Sequence, residues 1–278
     1  MSSDRFTDRA GTEAVLRRNN VRVLGRSDGP SLVLVQGFGC DQVIWDRMLP
    51  YFTDHYRVIL LDHVGTGGAD PADDPARYSD LNGYLVDLLG VLEMLDLQDA
   101  TVLGHSIAGA MAVAAAALSP RIGRLVLLCS SACYLNDGDY AGGFDQEDVE
   151  NILRTAEANY PLWAAAMAPG IAGVEKDSEL SSELAERICR LDPAHVRDFL
   201  AMSFGADIRE QLPEVAAPAL ILRTREDPLT PEAASVYLHR HLRGSTLVTL
   251  DTVGNMPHLN SPEPTAQAIL KYFESETP

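Results

Sequence analysis

Ser106 is the residue of this chain best placed for nucleophilic chemistry. It is the centre of Gly104-His105-Ser106-Ile107-Ala108-Gly109, between the apolar run Ala100–Gly104 and an alanine-rich, helix-forming stretch. The pattern is G-x-S-x-G with Ala108 in the last glycine's place and Gly109 just beyond. A strand that turns abruptly into a helix holds its central serine in a strained, accessible conformation, and small neighbours keep the crossing free of clashes. The start of that helix offers unpaired N–H groups and the positive end of a dipole, both suited to a developing oxyanion. The expected donors are the backbone amides of Ile107 and of Phe38, the latter in the loop Gly37-Phe38-Gly39-Cys40-Asp41. The glycines of that loop let its backbone approach a ligand closely, and no Lys-Ser/Thr follows to make it a phosphate loop.

A serine triad also needs an acid and an imidazole. Arg225-Glu226-Asp227-Pro228 comes directly after the apolar run ALILRT, and Asp227 is the expected acid. Glu226 is the competing neighbour, but Pro228 ends the strand just after Asp227. The base belongs in the loop after the final strand, Asp251 to Pro262, and the only histidine there is His258. Of the others, His63, which follows a strand end, is the one worth testing.

The elements that must hold these residues are short apolar runs alternating with helical patterns. The runs are Ser31–Gln36, Arg57–Asp62, Ala100–Gly104, Arg124–Cys129, Ala219–Thr224 and Ser245–Leu250. Nearly continuous Val, Leu and Ile mark strands covered on both faces. Leu81–Leu95, Ile107–Leu118, Pro231–Leu242 and Pro264–Phe273 repeat apolar residues at helical spacing. Together they predict a mostly parallel sheet with helices on both faces. Ala14–Leu24 alternates more and is expected to add antiparallel strands at one edge. From Tyr134 to about Gln211 no buried strand is evident, only helix-like segments such as Gln146–Asn159 and Glu183–Leu191. That stretch reads as a helical cap over the edge where open α/β sheets place their ligands. The expected division is a core of residues 1–133 and 212–278, with a cap of 134–211 inserted after the sixth strand. Phe144, Trp163, Met167, Phe199 and Met202, with Phe204, are the expected pocket lining.

Composition narrows the partners. The chain has 278 residues, 22 Lys+Arg and 40 Asp+Glu, a net charge of −18. Such a surface repels nucleic acid and leaves a small molecule or a protein as partner. The longest apolar run, Met111 to Leu118, is too short to span a bilayer, and the first fifteen residues carry no apolar leader. Cys40, Cys129, Cys133 and Cys189 show neither a CxxC pair nor metal-ligand spacing. Reduced thiols in a cytoplasmic protein, with no metal, are the expectation. No dinucleotide fingerprint or Schiff-base lysine is present, so no cofactor is expected.

Five segments carry a resemblance: GFGCDQVIW (37–45), DHVGTGGAD (62–70), GHSIAG (104–109), CYLNDGDYAGGF (133–144) and GNMPHLNSPE (254–263). They resemble the α/β-hydrolase fold family. Within it they are most similar to the branch of the bacterial stress-response regulator RsbQ and the plant karrikin and strigolactone receptors. The likeness runs from about Val21 onward, and its most specific segment is CYLND…GGF. In that branch the last motif reads G-H-x-P-H, with the catalytic histidine directly after the glycine. Here Asn255 occupies that position and His258 matches the second histidine, so the resemblance carries over Ser106 and Asp227 but not the base.

An amide has no basic nitrogen at neutral pH and cannot take the Ser106 proton, although Asn255 could still hydrogen-bond to Ser106 and Asp227. Removing the base of a serine triad typically costs about 10⁴–10⁶ in turnover, while oxyanion hole and binding leave about 10³–10⁴ over water. For His258 to replace it, the loop would have to be remodelled by several ångströms. The leading reading is an enzyme acting on a small organic molecule, its hydrolysis impaired or replaced by elimination, cyclisation, rearrangement or C–C cleavage. The competing readings are a ligand-responsive regulator with a protein partner, as the RsbQ resemblance implies, and an ordinary serine esterase inactivated at Asn255.

Overall fold

The computed structural model describes residues 9–72 and 74–275. The first eight residues of the polar N-terminal stretch lie outside the described residues. Seven strands form one sheet: β1 (Arg22–Gly25), β2 (Ser31–Val35), β3 (Arg57–Leu60), β4 (Ala100–His105), β5 (Ile122–Leu128), β6 (Ala219–Glu226) and β7 (Ser245–Val253). Their spatial order is β1-β3-β2-β4-β5-β6-β7. Only β1 runs antiparallel, against β3; every other pairing is parallel. Leu32–Leu34 of β2, Val102 and Leu103 of β4, Leu125–Leu128 of β5 and Ala219–Leu222 of β6 are fully buried. This is the burial that uninterrupted Val/Leu/Ile runs demand.

Three helices precede the large insertion: α1 (Arg9–Arg18), α2 (Leu81–Met94) and α3 (Ile107–Leu118). Helix α2 starts at Asp80, whose carboxylate accepts from Asn82 N at 2.9 Å. Helix α3 is apolar around its whole first two turns, because small alanines let it seat directly on the sheet.

The expected antiparallel strands over Ala14–Leu24 are corrected. Residues up to Arg18 are helical, and a single strand, β1, follows. The helix is anchored by Arg18 donating to Asp87, a buried carboxylate on α2 that also accepts from Arg77 and from the Tyr78 hydroxyl. Asn20 then takes a left-handed conformation (φ 44°) that ends the helical path. With one strand instead of several in this segment, the helical insertion follows the fifth strand of the sheet rather than the sixth.

That insertion lies between β5 and β6 and holds α4 (Gln146–Ala158), α5 (Tyr160–Ala172), α6 (Glu179–Cys189) and α7 (Pro193–Gly205). The segments Gln146–Asn159 and Glu183–Leu191 correspond to α4 and most of α6. Helix α5 is harder to read because it is apolar on nearly every side and contains Pro169. The chain ends with α8 (Glu232–His241), α9 (Pro257–Asn260) and α10 (Pro262–Ser275). No helix among the described residues is long and apolar enough to cross a membrane.

The end of α5 is bolted to the loop after β7. Asn255 N donates to Ile171 O at 2.8 Å, and Asn260 Nδ2 donates to Ala172 O at 2.7 Å and Val253 O at 2.8 Å. Gly254 (φ 87°) lies so close that a Cβ there would stand 2.5 Å from the Gly173 Cα. Replacing Asn260 with alanine strands two carbonyls at this junction. Asn260→Ala should therefore lose about 1–3 kcal/mol, read as a lower urea midpoint with an unchanged slope.

Candidate functional site

Ser106 sits between β4 and α3 at φ 55°, ψ −125°, a conformation that costs an L-residue of order 1–3 kcal/mol. The turn is possible because Gly104 has no side chain: a Cβ there would stand 2.4 Å from Ala108 O. The strain leaves Ser106 facing an apolar cavity of about 50 Å³ rather than the core. Phe38, Ile107, Tyr134, Trp163, Met167 and Ile171 share that cavity with Ile152, Leu200, Ser203, Phe204 and Leu229. Among the described residues, the backbone N–H groups of Phe38 and Ile107 have no acceptor within the protein.

Asp227, not Glu226, turns toward the loop after β7. Its Oδ1 accepts from Leu229 N at 2.8 Å and Thr230 N at 3.1 Å, and its Oδ2 accepts from Asn255 Nδ2 at 2.9 Å. Burial pushes the Asp227 carboxyl above its usual range, and these donated hydrogen bonds oppose that shift. Glu226 is the exposed last residue of β6.

Asn255 is buried and its carboxamide is fully engaged. Besides Asp227, Nδ2 reaches Cys129 O at 3.4 Å, while Oδ1 and the backbone carbonyl lie 3.0 and 2.9 Å from His105 Nε2. His105 therefore carries its proton on Nε2 and donates to both oxygens. The bond from Asn255 to Asp227 is formed; one from Asn255 to Ser106 is not. The Ser106 hydroxyl instead pairs with the Tyr134 hydroxyl at 3.1 Å.

The other histidines lie away from that hydroxyl. His258 is fully buried, its ring 4.8 Å from Trp45 and 4.5 Å from His105, and neither ring nitrogen has a hydrogen-bond partner among the described residues. It packs behind His105 rather than reaching Ser106, because Pro257 begins α9 and carries the chain away from the cavity. His63 Nε2 lies 2.7 Å from Gln36 O, and its ring packs on Tyr84 and Phe199.

Of the six residues expected to line the pocket, Trp163, Met167 and Phe204 do so, and Phe144, Phe199 and Met202 lie elsewhere. Phe144 stands one layer back, 5.0 Å from the ring of Phe204. Phe199 faces Phe38, His63 and Tyr84 at the flank, and Met202 is buried. Leu200, Ser203 and Phe204 share one face of α7 at three- and four-residue spacing, which turns 199 and 202 away. Tyr134 was missed as a site residue. Its only signal was its place in CYLND, the most specific segment of the resemblance.

A parallel sheet with a serine at a strained strand–helix turn, and an acid following a later strand, defines an α/β-hydrolase fold. The Alpha/beta hydrolase family matches residues 32–268, and the chain belongs to that family. It is 33% identical to the Karrikin insensitive 2 receptor CA of Petunia hybrida, over 93% of this chain and 96% of that protein. It is 35% identical to the Strigolactone esterase D14 of Arabidopsis thaliana, over 92% and 96%. Among solved structures, a hydrolase from Oleispira antarctica superposes with a TM-score of 0.89 at 31% identity, covering 95% of this chain and 97% of that one.

The buried histidines predict an acid-sensitive fold. Burial pushes His105 down to about 4, against a smaller opposing effect of its bonds to Asn255. Burial, then the neighbouring His105, also holds His258 well below the usual imidazole range. Unfolded imidazoles take up protons below about pH 6.5, whereas the folded ones stay neutral further down. The unfolded state then binds more protons, so stability falls as pH drops from about 6.5 toward 4. Urea midpoints at pH 7, 6 and 5 should decline, and His258→Leu, with one fewer buried imidazole, should show the shallower decline.

Proposed function

We propose that this chain is a capped α/β-hydrolase-fold enzyme that acts on a small, neutral, carbonyl-bearing molecule through Ser106, with hydrolysis impaired by the absence of a general base. Among the described residues, those before 134 and after 211 form its core and 134–211 its cap. The observation that carries this reading is the state of Asn255. It occupies the place beside Asp227 that an imidazole would need, and its one side-chain acceptor is turned to His105 rather than to Ser106. The unpaired amides of Phe38 and Ile107 form the oxyanion hole, where electrostatic stabilisation needs no proton transfer.

The cavity supports the substrate class. Its polar side chains are the hydroxyls of Ser106, Tyr134 and Ser203, and the rest is aliphatic and aromatic. A charged ligand would lose its hydration there without a counter-charge. The family relatives, named as receptors and as an esterase, support a small-molecule ligand. With acylation slow, the same electrophile-stabilising site also suits elimination or rearrangement chemistry that needs no acyl-enzyme.

A second reading, a ligand-responsive regulator, is favoured by the receptor relatives and by the lack of a base at the site. It predicts that a bound ligand raises the melting temperature without being consumed.

The first reading is tested with p-nitrophenyl acetate. Ser106 should acquire an acetyl mass adduct slowly, and Ser106→Ala should abolish it. Asn255→His should raise the acylation rate by at least about 10²-fold, the lower range of base catalysis. No gain would mean that the rest of the site is not organised for acyl transfer.

A further inference from the structure

We infer that Tyr134 is a catalytic residue, its phenol serving as a two-proton relay between the Ser106 hydroxyl and the oxygen that leaves the substrate. This rests on the reading of Ser106 as nucleophile and adds the route by which its proton departs.

Tyr134 Oη is the only side-chain partner of Ser106 Oγ among the described residues, at 3.1 Å. Both residues line the cavity, so the phenol faces the space where a substrate would lie. The backbone of Tyr134 is pinned, its carbonyl accepting from Phe144 N at 3.1 Å, and its ring meets Phe204 edge-on at 6.1 Å. The hydroxyl is thereby held at one place. Burial raises the phenol above its ordinary range, chiefly by desolvation, so it stays protonated across the neutral range. A neutral phenol has one proton to give and a lone pair to receive one.

The step balances without an ionised base. Ser106 Oγ forms a bond to the acyl carbon while the bond from that carbon to the leaving oxygen breaks. The Ser106 proton passes to Tyr134 Oη as the phenolic proton passes to the leaving oxygen. The products are acyl-serine, a neutral alcohol and a neutral tyrosine. In deacylation, water adds to the acyl carbon, its proton passes to Tyr134 Oη, and the phenolic proton returns to Ser106 Oγ, releasing the carboxylic acid.

The test is the single-turnover acylation rate of Ser106 with p-nitrophenyl acetate and with 2,2,2-trifluoroethyl acetate, whose leaving oxygen is more basic. Tyr134→Phe should slow acylation at least tenfold, and more with the trifluoroethyl ester, because that alkoxide depends more on a proton donor. In the Asn255→His background the same change should cost less than threefold, since the imidazole takes over the transfer. Equal losses in both backgrounds, or equal losses for both esters, would mean that Tyr134 only shapes the pocket and would overturn the relay. On the unmodified protein, rates in H₂O/D₂O mixtures should curve as two protons moving together require; a straight line would overturn it as well. Acylation that persists in Ser106→Ala would instead sink the Ser106 reading beneath it. Loss in Ser106→Ala with none in Tyr134→Phe would refute the relay alone.

Discussion

A buried carboxamide must satisfy three polar positions at once, and Asn255 does so by looking away from the cavity. Its Nδ2 serves Asp227 and Cys129 O, and its Oδ1 receives the proton of His105. An imidazole in this position can give one nitrogen to the acid and turn the other toward the serine. A carboxamide carries its donor and acceptor on one carbon, so anchoring the donor to Asp227 swings the acceptor to His105. Leaving that acceptor unpaired at this depth would cost about 1–3 kcal/mol. The Ser106 hydroxyl is then left with the Tyr134 phenol, in a largely apolar enclosure.

The surroundings hold this arrangement in place. The strained turn at Ser106 persists because β4 and α3 are locked by burial on both sides. The loop bearing Asn255 is tied to the end of α5, the helix that also supplies Trp163, Met167 and Ile171 to the cavity wall. The Ile171–Asn255 hydrogen bond thus joins the cavity wall to the Asp227–Asn255–His105 chain.

Much of this was legible from residue order. Six apolar runs became the parallel strands because such runs have no alternative burial, and the turn after β4 followed from glycine and alanine spacing. Asp227 was separable from Glu226 because a proline ends the strand beside it. Ala14–Leu24 misled because its alternation resembles a strand, whereas the ion pair of Arg18 with Asp87, across 69 residues, favours a helix. Phe199 and Met202 on α7 misled for a similar reason. Hydrophobicity marks a residue as buried without saying which neighbour it is buried against.

The chain's order of residues by itself determined the sheet, the tight glycine-lined turn at Ser106, and the presence of an amide at position 255, since each is a local pattern or a one-residue identity. Only the tertiary structure decided where that amide points, that His258 packs against Trp45 and His105, and that a tyrosine from the start of the insertion meets the serine hydroxyl. Those outcomes depend on hydrogen bonds between groups brought together from distant segments. Their directions follow from competition among all nearby donors and acceptors, which no local pattern encodes.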